Sequence, residues 1–166
     1  VESTPRNTAA AIAFAAFASQ PDDILIITPS DHIIDEMDKY NEAIKTAIVK
    51  AIEGYIVTFG IVPTKPETGY GYIESKGDDV ISFREKPNSV TAKDFIARGN
   101  FLWNSGMFCF KAGVLWDELK AYQPEVYEKS KKAWENNKNG NLDLDLSRDI
   151  PSISIDYAVM ERSKKI

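Results

Sequence analysis

Apolar residues recur with different spacings along the chain and divide it into predicted helices and strands. Ala9–Ala18 is apolar on every side, which is typical of a helix packed on both faces. Ile24–Thr28 is a short apolar run rich in β-branched residues, and it predicts a central parallel strand covered on both faces. In Asp38–Glu53 apolar residues recur at three and four positions before Gly54, which predicts an amphipathic helix.

A second apolar run, Tyr55–Ile61, predicts another buried strand. Strand, helix and strand in this order predict a right-handed βαβ unit, so the fold class is α/β. The later patterns predict a hairpin around Lys76–Asp79, a helix over Thr91–Arg98, a strand over Phe101–Phe110, and helices over Ala112–Tyr122 and Glu125–Glu135.

Composition and charge narrow the class of protein. The 166 residues are 43% hydrophobic and 27% charged, as in one globular domain. A formal net charge of −5 argues against general adhesion to nucleic acid or to an anionic membrane. The apolar run Ala9–Ala18 is far shorter than the roughly 20 residues that span a bilayer. Cys109, the one cysteine, lies between Phe108 and Phe110, which predicts a buried strand position in a reducing, cytoplasmic compartment.

Asp31 and His32 follow shortly after the first predicted strand. In an open parallel sheet ligands bind beyond the carboxyl ends of the strands, so a carboxylate at this position points to a site. The alternative is that Asp31 caps a turn. His32 is the only histidine, and a structural hydrogen-bonding role competes with a role as a base.

Two further motifs contain residues that could contact a ligand. Gly69 and Gly71 could let the backbone approach a ligand, although a tight turn would also explain them. Glu85 and Lys86 end a predicted strand, where a carboxylate can accept bonds from sugar hydroxyls and an ammonium can meet a phosphate. The alternative is a solvated strand end.

Two polar residues in apolar segments complete the candidates. Asn104 interrupts a core strand just before Gly106, which predicts a bulge or close contact with a ligand, or else a satisfied buried amide. Asp156 precedes a final helical stretch and could be its N-cap. Paired with Asp31, it would instead suit a hard cation such as Mg²⁺. P-loop, dinucleotide-binding, zinc-protease and nucleophile-elbow motifs do not occur in the sequence.

The order of these segments resembles one family over essentially the whole chain. PRNTA, ILIITPSDHII, YIVTFGIVPTKPETGYGYIE, FREKP, NFLWNSGMFCF and SIDYAVMER together resemble the bacterial mannose-1-phosphate guanylyltransferases. The resemblance implies a Rossmann-like, mixed but mostly parallel sheet with helices on both faces. It also implies the Mg²⁺-dependent reaction of GTP with mannose 1-phosphate to give GDP-mannose and pyrophosphate, by in-line displacement without a covalent enzyme intermediate.

The same resemblance assigns roles to residues. Asp31 and Asp156 are similar to the metal-binding aspartates, and Lys86 to the cation that meets the sugar phosphate; these three form the catalytic set. Arg6, Asn7 and Thr8 resemble the segment that lines the nucleotide pocket. Gly71, Glu85 and Asn104 are similar to the residues that hold the mannose hydroxyls.

One departure from the family limits the activity expected of residues 1–166 alone. The family begins with a strand and a glycine-rich loop, G-G-x-G-T-R-L-x-P-L, and no such segment precedes Val1, which is not a Met. Residues 1–166 are therefore expected to be the central and C-terminal part of one catalytic domain, with little or no activity when isolated. Some members also carry a metal-dependent mannose-6-phosphate isomerase domain, which one His in a helix-rich chain cannot supply, so that label would describe only the parent protein.

Two alternatives to this function stay open. One is a binding module for sugar phosphates or nucleotide sugars that regulates rather than catalyses. The other is a sister nucleotidyltransferase for another base or sugar. Homo-oligomer formation is compatible with the sequence, and no nucleic-acid or membrane partner is expected.

Overall fold

The computed structural model describes residues 2–166, which form a single sheet with helices on both faces. Its elements are, in chain order, α1 (Asn7–Phe17), β1 (Ile24–Ile27), α2 (Met37–Ile52), β2 (Val57–Ile61), β3 (Tyr72–Lys76), β4 (Asp79–Arg84), α3 (Ser89–Arg98), β5 (Phe101–Lys111), α4 (Ala112–Tyr122), α5 (Pro124–Glu135), α6 (Leu144–Arg148) and one turn of π-helix, Asp156–Met160, called the π-turn below. The helices and the hairpin agree with the predicted segments to within a few residues. The α/β class is therefore confirmed.

Strand β5 is the centre of the sheet and pairs with three other strands. Strand β2 follows one of its edges, with Val57 opposite Cys109 and Ile61 opposite Trp103. The other edge is shared, because β1 pairs with residues 108–111 and β3 with residues 101–103. A gap remains on that shared edge beside residues 104–107, between the end of β1 and the beginning of β3.

The expected parallel pairing is wrong for the strands in residues 2–166. Each strand pair there is antiparallel, and β1 and β2 are separated by β5 rather than adjacent. The reason is non-local: β5 lies about 40 residues downstream of β2 in the chain and inserts between the two strands, antiparallel to both. Strand β1 is also less covered than expected, because Ile26 is 40% exposed.

The two faces of β5 pack against different helices. Phe108 and Phe110 are buried in the main core, which contains apolar residues of α1, α4 and α5. Cys109 points to the opposite face and packs against Ala47 and Ala51 of α2. Helices on both faces and the buried position of Cys109 are therefore confirmed, and burial raises the pKa of its thiol.

Candidate functional site

The interruption of β5 predicted at Asn104–Gly106 is a bulge, and it lies at the gap between β1 and β3. On β2, Thr58 and Gly60 are two positions apart, whereas their partners Phe108 and Asn104 on β5 are four positions apart. Gly106 has a φ of 72°, a backbone conformation that glycine adopts without strain. A Cβ at Gly106 would lie 3.5 Å from Cγ of Pro29, so the segment that follows β1 reaches this bulge.

Asn104 connects the bulge to the C-terminal part of the chain. Its Oδ1 accepts the Gly106 backbone N–H at 3.0 Å and the Thr58 hydroxyl at 3.3 Å. Its Nδ2 donates to Oδ1 of Asp156 at 3.0 Å. Since a side-chain amide has two N–H donors, one donor remains for a ligand. The amide is thus both an orienting group for Asp156 and a candidate ligand-binding group.

Asp156 is the first residue of the π-turn and does not act as its cap. Ile155 occupies the N-cap position without a side-chain capping hydrogen bond, and the Tyr157 N–H is accepted by the Ser154 hydroxyl at 3.4 Å rather than by Asp156. Burial, and secondarily the nearby Glu85 carboxylate, raise the pKa of Asp156 above its ordinary value. The hydrogen bond from Asn104 and the charge of Lys86 partly oppose these effects. Capping, one alternative left open by the sequence, therefore does not explain this residue.

Glu85 and Gly71 fit against each other. The Glu85 side chain is only 8% exposed, and its Oε1 lies 2.7 Å from Nζ of Lys86. A Cβ at Gly71 would lie 2.6 Å from Oε2 of Glu85, so a larger residue at this position would have to displace the carboxylate. The carbonyl of Gly71 also accepts the Asn104 N–H at 2.8 Å. These contacts bring Gly71, Glu85, Lys86, Asn104 and Asp156 together at the gap in the sheet.

Lys86 has a charge directed to solvent and an unusual backbone. Its side chain is 61% exposed, so the ammonium is accessible to an anionic ligand. Its pair with Glu85 raises the pKa of the ammonium. Its φ is 43°, in the left-handed region. This backbone conformation is unfavourable for a non-glycine residue, so neighbouring contacts must hold Lys86 in it.

The segment Arg6–Thr8 begins α1 and lies against the residues that lead to Asp156. The Thr8 hydroxyl accepts the Ile155 N–H at 2.8 Å, one residue before Asp156. Nε of Arg6 donates to the carbonyl of Ile150. Asn7, with a φ of 67°, accepts the Thr8 N–H through its own side chain. The candidate nucleotide segment and the candidate sugar residues therefore approach each other through residues 150–156.

Asp31 and His32 are the candidates that no side-chain contact joins to this group. Both are exposed, and the structure gives no hydrogen bond or ion pair for either side chain among residues 2–166. Asp31 follows the Pro29 contact with Gly106 by two residues, so the backbone places it near the same gap. No group of three or more His, Cys, Asp and Glu side chains in the described part of the chain is arranged to hold a metal ion.

Three residues contribute to this region that the sequence did not single out. Thr58 donates to Asn104, and Glu161 accepts the Glu85 backbone N–H at 3.2 Å. The Glu67 carboxylate accepts the N–H groups of Thr68 and Gly69 in the loop before β3. The Gly69 N–H therefore already has an acceptor within the chain. Thr58 could have been found from the sequence, because it is a polar residue within an apolar predicted strand. An exposed Glu at a helix end gives no such signal.

A cavity occurs at another place in residues 2–166. It has a volume of about 430 Å³, opens to solvent and is lined by residues of α2, β2, the β3–β4 hairpin and β5 and by Ile166. Thr58 lines it, whereas none of the site residues predicted from the sequence does. No helix in the described residues is long and apolar enough to cross a bilayer.

Known proteins are similar to this chain over nearly its whole length. A protein of Xanthomonas campestris pv. campestris, named xanthan biosynthesis protein XanB, is 43% identical over 174 residues. The Escherichia coli K12 mannose-1-phosphate guanylyltransferase is 41% identical over 182 residues. Each alignment covers 98% of this chain but 37% or 38% of the relative, so the chain spans little more than a third of their length.

The fold is also similar to a solved structure. A crystal structure of a Helicobacter pylori protein named mannose-6-phosphate isomerase superimposes with a TM-score of 0.97 at 43% identity, over all of this chain and 68% of that one. The family model described as nucleotidyl transferase matches residues 1–150. The chain belongs to the nucleotidyl transferase family.

Proposed function

We propose that the whole protein containing this chain is a mannose-1-phosphate guanylyltransferase, which joins GTP and mannose 1-phosphate into GDP-mannose and releases pyrophosphate. The observation that carries the proposal is the group of Gly71, Glu85, Lys86, Asn104 and Asp156 at the gap in the sheet. It combines acceptors and a donor for hydroxyls with an exposed ammonium for a phosphate. Relatives at about 40% identity that carry this name support the same activity.

The hexose phosphate is the substrate assigned to Glu85, Asn104 and Lys86. The Glu85 carboxylate is nearly buried and held by Lys86, so it can accept hydroxyl hydrogen bonds in a fixed orientation. The second N–H of Asn104 Nδ2 can donate to a hydroxyl of the same sugar ring. The Lys86 ammonium meets the phosphate as a point charge and neutralises the charge that develops during transfer.

The nucleotide is assigned to Arg6, Asn7 and Thr8. These residues lie beside the segment that leads to Asp156, so a triphosphate there would face the sugar phosphate. In the reaction, a phosphate oxygen of the sugar forms a bond to the α-phosphorus of GTP, and the bond from that phosphorus to the oxygen bridging to the β-phosphate breaks. Pyrophosphate leaves with the bonding electrons, and no enzyme side chain forms a covalent bond.

The residues present fit the divalent cation that we propose for this site, with Asp31 and Asp156 as its ligands. Carboxylate oxygens are the ligands that Mg²⁺ prefers. Asp156 is a carboxylate whose ionisation is disfavoured by burial and by Glu85, so a nearby cation would stabilise its charged form. When bound, Mg²⁺ would supply neutralisation of the phosphate charge.

The remaining features of the whole protein are also proposals. We place it in the cytoplasm, where GTP and sugar phosphates are available, and we propose that it is bifunctional, since a relative over this whole segment is named mannose-6-phosphate isomerase.

The test uses the full-length protein with Mg²⁺, GTP and mannose 1-phosphate, and measures pyrophosphate and GDP-mannose together. Equal amounts of both products, with much less product from dTTP or ATP, would support the proposal. Binding of the sugar phosphate without turnover would instead favour a regulatory binding module. Faster turnover with another nucleotide or sugar phosphate would favour a sister transferase.

A further inference from the structure

The π-turn contacts both sides of the candidate site. At its beginning, Asp156 accepts Nδ2 of Asn104 on β5. Immediately after it, Oε1 of Glu161 accepts the backbone N–H of Glu85, the residue that follows β4. One turn of helix therefore connects the sheet centre to the strand end that carries Glu85 and Lys86.

The wider turn makes this double contact feasible. Glu161 donates its own N–H to the carbonyl of Asp156 at 2.9 Å, which is the five-residue hydrogen bond of a π-helix. In an α-helix, residues five apart point about 140° apart around the axis. The extra residue in the π-turn reduces this divergence, so Asp156 and Glu161 can both face the site. Such turns occur often at functional sites.

The Glu85 N–H lies outside the strand ladder. Pairing of β3 with β4 reaches Tyr72 opposite Arg84 and does not extend to Glu85. Lys86, the next residue, has a left-handed φ of 43° although it precedes Pro87, where extended backbone is the usual conformation. Contacts from outside the strand must therefore hold this backbone, and the Glu161 carboxylate supplies one directly before the strained residue.

Resting on the function proposed above, we propose that Glu161 is a positioning residue for the sugar-phosphate side of the site. It acts through its hydrogen bond to the Glu85 backbone, which fixes the strand end and hence the directions of the Glu85 carboxylate and the Lys86 ammonium. The nucleotide segment Arg6–Thr8 makes its contacts with residues 150–155 instead, so the effect of Glu161 is expected on one substrate only.

Two variants of the full-length protein separate this role from general stability. Glu161→Gln keeps an acceptor oxygen for the Glu85 N–H, whereas Glu161→Ala removes it. Arg162→Ala is the matched control, because Arg162 is the next residue, is also exposed and is outside the site. For Glu161→Ala we expect KM for mannose 1-phosphate to rise about tenfold, the scale of one lost hydrogen bond, with KM for GTP within about twofold of wild type. In Glu161→Gln, most of this rise in KM for mannose 1-phosphate should be absent.

A second measurement does not depend on activity. Amide hydrogen exchange in the peptide covering residues 83–90 should be faster in Glu161→Ala, and close to wild type in Glu161→Gln and Arg162→Ala. If the variants differ in exchange as expected but the wild-type protein transfers no guanylyl group, the proposed function is wrong, whereas the contact between Glu161 and the Glu85 N–H is supported. Unchanged exchange in Glu161→Ala, an equal rise of both KM values, or a Glu161→Gln variant as impaired as Glu161→Ala would overturn the role of Glu161.

Discussion

Nδ2 of Asn104 donates a 3.0 Å hydrogen bond to Oδ1 of Asp156, and this contact joins the central strand to the C-terminal π-turn. The two residues are 52 positions apart in the chain. Asn104 is itself held by Gly106 and Thr58, so the orientation of Asp156 is fixed by the sheet. The contact explains how an isolated acid in the sequence becomes part of a site.

Replacing Asp156 by Asn tests whether its charge is needed. The new side chain keeps an oxygen for Asn104 and removes the negative charge that faces Glu85. In the full-length protein we expect turnover to fall by orders of magnitude, while the free energy of unfolding stays the same or rises. Turnover and urea unfolding of the same preparations are the measurements. A variant as active as wild type would leave Asp156 with a structural role only.

The raised pKa of Asp156 predicts a pH dependence of stability. Because the folded state binds the proton more tightly than the unfolded state, its contribution to the free energy of unfolding falls as pH rises from about 3.8 through the raised pKa. Without divalent cations, wild type should therefore lose stability relative to Asp156→Asn over this window, and the difference should level off above it. Urea unfolding of both proteins from about pH 4, near the ordinary pKa of a carboxylate, to about pH 8 measures this difference. A difference that is constant, or that changes in the opposite direction, would contradict the assigned environment.

Gly71 and Gly69 provide a matched pair in one loop. Alanine at position 71 would place its Cβ 2.6 Å from the Glu85 carboxylate, whereas at position 69 the nearest atom would be 3.6 Å away. A displacement of about 1 Å at a reacting site can cost about 100-fold in rate, so we expect a loss of this order for Gly71→Ala and little change for Gly69→Ala. Steady-state kinetics with varied mannose 1-phosphate is the measurement. Equal effects of the two substitutions would refute the fit between Gly71 and Glu85.

Asp31 is expected to act through a cation rather than through packing. Its side chain is exposed, so Asp31→Asn should change the free energy of unfolding by less than about 0.5 kcal/mol. The Mg²⁺ concentration for half-maximal turnover should rise, and Asp35→Asn, a change to another exposed acid of the same loop, should leave it unchanged. Titration of turnover with Mg²⁺ in all three proteins is the measurement. The same Mg²⁺ dependence in Asp31→Asn and wild type would remove Asp31 from the proposed metal site.

The sequence predicted the local elements well because their signals are local. The segment Ser89–Arg98 shows this, since it begins after an Asn88 cap and ends at Gly99 in the left-handed conformation. The neighbours of β1 and β2 could not be predicted this way, because the strand between them comes from much later in the chain.

The candidate site shows the same division between local and non-local signals. Glu85 and Lys86 were identifiable as adjacent charges at a strand end, and Asn104 as a polar interruption of an apolar strand. The five-residue turn that carries Asp156 and Glu161 leaves no residue pattern, because its hydrogen bond depends on what the helix packs against. The tight fit of Gly71 against Glu85 likewise becomes visible only in three dimensions.

The position of the hexose phosphate tests the central claim most directly. In a crystal structure of the full-length protein with GDP-mannose, the account predicts Lys86 Nζ within hydrogen-bond distance of a phosphate oxygen and Glu85 bonded to sugar hydroxyls, beside Asn104. A sugar bound instead in the cavity between α2 and β2, with Lys86 and Glu85 free of it, would contradict the account.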